Sequence, residues 1–128
     1  MNAIRSRILA VDDSASMRQI LAAVLDEAGY AVTTARDGQD ALTVAANGAF
    51  DLVLTDQHMP GMDGLSLIRA LRELDTFAEV PILVLTTEVD GAYKDAAREA
   101  GASGWLIKPV DPGTLVDVVG SLVGAQAA

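Results

Sequence analysis

Ile8-Leu9-Ala10-Val11-Asp12-Asp13-Ser14 sets four apolar residues in a row and then two carboxylates. An unbroken apolar run of that length suits a strand covered on both faces. Asp12-Asp13-Ser14 then marks the exit from the core and can start a helix. Met17, Ile20, Leu21, Val24, Leu25 and Ala28 follow as one helical stripe. Gly29 stands where a left-handed residue closes a helix.

The same unit recurs down the chain. Ala31-Val32-Thr33-Thr34-Ala35 reads as a second strand. Asp37-Gly38 turns into a helix carrying Ala41, Leu42, Ala45 and Ala46, and Asn47-Gly48 ends it. Leu52-Val53-Leu54-Thr55 runs into Asp56, followed by a loop with Pro60, Gly61 and Gly64 and a helix predicted to align Leu65, Ile68, Leu71 and Leu74. Pro81 precedes Ile82-Leu83-Val84-Leu85-Thr86, and the next helix, roughly Gly91 to Ala100, is Ala-rich and weakly amphipathic. Trp105-Leu106-Ile107 leads to Lys108-Pro109. The last helix starts near Pro112, a residue suited to a first helical turn, and buries Leu115, Val118, Val119 and Leu122. The closing Ala-Gln-Ala-Ala is expected to fray. Five strand–helix units predict an α/β fold: a doubly wound five-stranded parallel sheet with helices on both faces. The order 2-1-3-4-5, shared with flavodoxin-like folds, is the expected solution.

At 128 residues the chain is expected to be one domain spanning residues 1–128. Apolar residues make up 51% and charged residues 21%, a globular balance. Nine basic and 18 acidic side chains give a net charge of −9, which argues against nucleic acid and anionic membrane as partners. With no Cys and a single His, disulfides, thiolate chemistry and His-cluster zinc sites are excluded. No apolar run reaches membrane-spanning length and no signal peptide is apparent, so a cytoplasmic protein is expected.

Open parallel sheets bind ligands beyond the carboxyl ends of their strands, where the strand order reverses. Those ends carry Asp12 and Asp13, Asp56, Thr86 and Lys108. Each has a plainer use. The first two acids could cap a helix, Thr86 could be a strand residue, and Lys108 a solvated charge. Their joint placement points to a site. Two carboxylates about 4 Å apart repel by roughly 4 kcal/mol at an effective dielectric near 20. Three need a cation or a shifted pKa, and Lys108 offsets only one charge. An oxygen-rich cluster that keeps some water suits Mg2+, whose usual company is phosphate. A carboxylate in such a site can act as nucleophile and form an acyl phosphate.

These pieces resemble the receiver domains of two-component response regulators over nearly the whole chain. The likeness is carried by Val11-Asp12-Asp13-Ser14, Asp56-Gln57-His58-Met59-Pro60-Gly61-Met62-Asp63-Gly64, Leu85-Thr86-Thr87-Glu88, Gly101-Ala102 and Lys108-Pro109. Val11 to Gln19 looks like single-domain chemotaxis regulators of the CheY type. The resemblance implies that Asp56 is the phosphoacceptor. Asp13 and Asp56 would hold Mg2+ directly, Asp12 through water, and His58 through its backbone carbonyl. Thr86 and Lys108 would meet the phosphoryl group. It also implies a cis Lys108-Pro109 peptide, a switch in which Trp105 follows Thr86, and an output surface made of the fourth helix, fifth strand and fifth helix. The implied partners are a CheA-like sensor His kinase as donor, and a flagellar motor switch protein or a phosphatase. The implied state is a monomer that is a switch rather than an enzyme.

Three positions depart from the commoner pattern. Trp105 stands where Tyr or Phe is usual, so a full inward swing is in question. Val110 replaces a frequent Phe. His58, two after Asp56, either supplies only its carbonyl or lays its imidazole over the acyl phosphate with Glu88 on the opposite lip, tuning the lifetime of the phosphorylated state. A phosphate sink or relay is the alternative use within this class. A Mg2+-dependent aspartyl phosphatase would call for an acid two residues after the nucleophile, where His58 stands, and for a cap domain to enclose a substrate, which this sequence is not expected to supply. An FMN carrier needs a loop rich in Ser, Thr and Gly where Asp12-Asp13 stands.

Overall fold

Strands β1 (Arg7–Val11), β2 (Ala31–Ala35), β3 (Leu52–Asp56), β4 (Ile82–Thr86) and β5 (Gly104–Ile107) form one sheet in the order β2-β1-β3-β4-β5. Every neighbouring pair is parallel. Helices α1 (Ala15–Glu27), α2 (Gly38–Ala46), α3 (Gly64–Arg72), α4 (Gly91–Ala100) and α5 (Pro112–Ala127) make the crossovers. This computed structural model describes residues 5–127. Among them no helix is long and apolar enough to cross a membrane.

The apolar runs became strands because both sheet faces are covered. On one face Ile8, Ala10, Leu52, Leu54, Leu83 and Leu85 meet α1 and α5 through Leu21, Leu25, Leu115 and Val119. On the other, Leu9, Val11, Val53, Ile82 and Val84 meet α2, α3 and α4. Every residue of β3 and β4 is buried, whereas the edge strands β2 and β5 are largely half-exposed. Side-chain caps define where four helices begin. Ser14, Asp37, Asp63 and Asp90 accept from the backbone N–H of Met17, Asp40, Ser66 and Tyr93. Ser14 is thus the cap of α1, which leaves Asp12 and Asp13 free for other work.

Two predicted details differ. Leu74 lies beyond α3, in front of a short 3-10 turn at Asp75–Phe77 that buries Phe77. The Arg72 guanidinium sets this end: it donates to the carbonyls of Phe77, Val80 and Gly101 at 2.6 to 3.0 Å. Helix α5 also continues through Ala127 into the tail expected to fray, since Ala and Gln are strong helix formers. Ala128 lies outside the described residues.

Candidate functional site

The sheet order reverses between β1 and β3, and their carboxyl ends meet side by side: Val11 pairs with Thr55. Asp12, Asp13 and Asp56 therefore converge, each offering a carboxylate oxygen within 4.8 Å of the others. Asp12 and Asp56 are buried while Asp13 is exposed. Lys108 directly follows β5 and brings its Nζ to 2.7 Å from Asp56 Oδ1 and 3.9 Å from Asp12 Oδ2. Its own N–H donates to the Thr86 carbonyl at 2.8 Å, and the Lys108–Pro109 peptide is cis.

Local contacts hold this cleft open in one shape. Asp12 Oδ1 accepts the Ser14 N–H at 2.9 Å, and its carbonyl accepts Arg18 Nη1 at 2.7 Å. The loop after β3 closes tightly at Gly64, whose N–H donates to the Gln57 carbonyl at 2.9 Å. A Cβ at position 64 would stand 2.6 Å from the Asp56 carbonyl oxygen, so the close approach requires glycine.

Three carboxylates face one ammonium, which leaves two negative charges. Asp12 Oδ2 and Asp56 Oδ1 are buried with no hydrogen-bond partner; the Lys108 contact to Asp56 Oδ1 is a charge contact only. Burial pushes the Asp12 carboxyl above its ordinary value. The Ser14 N–H opposes this, the Asp56 charge adds to it, Lys108 opposes it, and Asp13 adds. An all-oxygen donor set with two excess charges and an unpartnered buried oxygen fits a hard divalent cation.

The remaining predicted residues fall at three places. His58 and Glu88 do meet, with Nε2 3.6 Å from Oε1, across the loops that follow β3 and β4. Both are solvent-accessible, at 62% and 41% side-chain exposure. Thr86 is fully buried, and its hydroxyl accepts the Glu88 N–H at 2.9 Å. Trp105 pairs with Val84 in the sheet, two residues before the partner of Thr86, so it shares the α4 side of the sheet with Thr86. Its ring is half-buried and lies beneath two cations of α4, Lys94 Nζ at 5.6 Å and Arg98 Cζ at 6.0 Å from the centroid. Val110 packs on the α5 layer instead and lines the cleft between α1 and α5.

Sequence reading missed Arg18, Gln57 and Tyr93. Gln57 Oε1 accepts from the Leu65 N–H at 3.1 Å and from the Tyr93 hydroxyl at 3.0 Å. Strand alternation could have sent Gln57 to the face opposite Asp56. Its pairing with Tyr93, 36 residues away, has no local signal.

The chain is similar to known proteins in both sequence and fold. The profile of the response regulator receiver domain matches residues 8–120. The chemotaxis protein CheY of Pseudomonas aeruginosa is 38% identical over 104 residues, covering 80% of this chain and 84% of that protein. Among solved structures, chemotaxis protein CheY4 of Vibrio cholerae superposes with a TM-score of 0.90 at 40% identity, covering 93% of this chain and 99% of that one. A response regulator of Burkholderia multivorans is 57% identical, with a TM-score of 0.77, over 93% of this chain and 95% of that one. The sheet order, the acidic cluster at its switch point and these likenesses agree: the chain belongs to the response regulator receiver domain family.

Proposed function

We propose that this protein is a phospho-signalling switch that takes a phosphoryl group from a sensor His kinase onto Asp56, in chemotaxis signalling. The observation that carries the reading is Lys108 Nζ at 2.7 Å from Asp56 Oδ1 inside the carboxylate cluster. An Asp56 oxygen attacks phosphorus, the P–N bond of the phosphohistidine donor breaks, and the imidazole leaves and takes up a proton. Lys108 holds Asp56 in place and then faces the phosphoryl oxygens. Asp13 and Asp56 would hold Mg2+, with Asp12 through water and the His58 carbonyl as a further ligand. When bound, the ion supplies charge neutralisation between the carboxylates and the incoming phosphoryl group.

The acyl phosphate adds strong acceptor oxygens beside Thr86. Thr86 leaves Glu88 to meet them, and the space it vacates is open to Trp105. The surface of α4, β5 and α5 then favours a second state, which is the output. His58 and Glu88 stand over the acceptor and set how readily water reaches it. On this reading residues 1–128 form one cytoplasmic, monomeric receiver unit that works as a switch without enzymatic turnover of a separate substrate. The likeness to chemotaxis proteins supports a flagellar motor switch protein as the partner.

The test is phosphotransfer from candidate kinases to the wild type and to Asp56→Asn. The wild type is expected to be labelled and the Asn variant not. Equal labelling overturns the assignment. A pull-down with and without a phosphoryl mimic then separates motor binding, which needs the mimic, from a phosphate sink or relay, which shows no mimic-dependent motor contact.

A further inference from the structure

Helix α4 has few holdings. Ala97 and Ala100 are its buried residues, so its apolar contact with the sheet is slight. At its C-terminal end Arg72 grips the Gly101 carbonyl through Nε at 3.0 Å and Nη2 at 2.8 Å. At its N-terminal end the Asp90 cap on the Tyr93 N–H is local. The long-range hydrogen bond there, among the described residues, is the Tyr93 hydroxyl to Gln57 Oε1 at 3.0 Å.

Gln57 is a fixed post. It is 8% exposed. Its N–H donates to the Leu85 carbonyl and its carbonyl accepts from Gly64, both at 2.9 Å. Oε1 also accepts the Leu65 N–H at 3.1 Å. Tyr93 therefore ties the first turn of α4 to the residue next to Asp56. Its phenol also adjoins the Thr86 hydroxyl, whose oxygen is held by the Glu88 N–H at 2.9 Å. Thr86 and the first turn of α4 are thus held by one small polar group on the α4 side of the sheet.

We infer that Tyr93 is a positioning residue: its hydroxyl, bonded to Gln57 beside Thr86, latches the first turn of α4 in the unphosphorylated conformation and opposes the switch. The inference rests on the phosphoacceptor reading of Asp56. Tyr93→Phe removes the hydroxyl and keeps the ring. Gln57 Oε1 retains the Leu65 N–H, so no buried acceptor is orphaned. The bond is lost from the resting conformation alone. The equilibrium therefore moves toward the switched one by what the bond contributes, roughly two- to ten-fold.

The full chain, as wild type and Tyr93→Phe, is titrated calorimetrically with beryllofluoride in the presence of Mg2+. Amide exchange is followed in the unliganded proteins. The Phe variant is expected to bind the mimic roughly two- to ten-fold tighter, with faster exchange in the first turn of α4 and unchanged exchange in α3. A purely packing role lowers the melting temperature and leaves affinity for the mimic equal or weaker, and either affinity result overturns the latch. If the wild type itself binds no beryllofluoride, the phosphoacceptor reading falls and the latch with it. If the wild type binds and the variant matches it, the latch alone falls.

Discussion

Asp12 is a carboxylate held in the wrong solvent. It is 1% exposed, one of its oxygens has no hydrogen-bond partner, and burial raises its pKa above the ordinary 3.8. A carboxyl that binds its proton more tightly folded than unfolded contributes stability that is complete below the unfolded pKa. That contribution is lost as pH rises through the folded value. Ionised Asp12 therefore costs the metal-free protein stability at neutral pH. Asp12→Asn keeps the Ser14 contact through its amide oxygen and removes the charge. Its melting temperature without divalent cation is expected to exceed that of the wild type at neutral pH, with the difference vanishing well below pH 3.8. Added Mg2+ is expected to stabilise the wild type more than the variant, as any ligand of the folded state does. His58 carries a second prediction. With its imidazole 3.6 Å from Glu88, His58→Ala is expected to change the autodephosphorylation rate, measured between about pH 6 and about pH 8. A variant with wild-type rates across that interval removes the side chain from the mechanism.

Elements differ in how far local sequence decides them. β3 and β4 were legible because each is buried on both faces, which writes an unbroken apolar run. α1 was legible by its stripe, yet Ile20 on that stripe is 52% exposed, because the stripe is wider than the contact with the sheet. The 3-10 turn at Asp75–Phe77 was not legible, since Arg72 organises it through carbonyls that are distant or follow in sequence. The site divides the same way. Asp12, Asp13, Asp56, Thr86 and Lys108 could be found because strand ends in a parallel sheet converge whatever the side chains. Gln57 with Tyr93, and Trp105 under Lys94 and Arg98, depend on how α4 settles against the sheet, which no local spacing in the sequence records. Gly64 belongs to this scale too, because it joins β3 to α3. A methyl group there meets backbone at 2.6 Å and Gln57 Cα at 2.9 Å, neither of which can step aside alone. Gly64→Ala is expected to destabilise the fold by about 1–3 kcal/mol in urea unfolding. It should also weaken Mg2+ binding, because the Asp56 backbone must shift.

Over the whole molecule, the cleft that holds Asp56 is bordered by an apolar one. Between α1 and α5 lies a cavity of about 490 Å³, lined by Met17, Ile20, Val24, Lys108, Val110 and Leu115 among others. Lys108 belongs to both clefts, so a partner seated on α1 and α5 reaches Asp56 without crossing the α4 surface. On the proposed phosphoacceptor reading, a phosphohistidine donor must bring its imidazole to Asp56, and a large apolar side chain left 52% exposed beside that path is a contact in waiting. A carboxylate added here would have to lose its water against an apolar donor face, which makes it an obstacle to docking. Ile20→Glu is expected to slow transfer from the cognate kinase by roughly ten-fold or more, as loss of a central apolar contact does. At an exposed helix position it should change stability by no more than about 0.5 kcal/mol. Phosphorylation by a small acyl phosphate needs no docking and should proceed at the wild-type rate. Stopped-flow measurement with both donors separates the two cases. Equal slowing with both would place Ile20 in the chemistry, and no slowing with either would move the donor's seat away from α1.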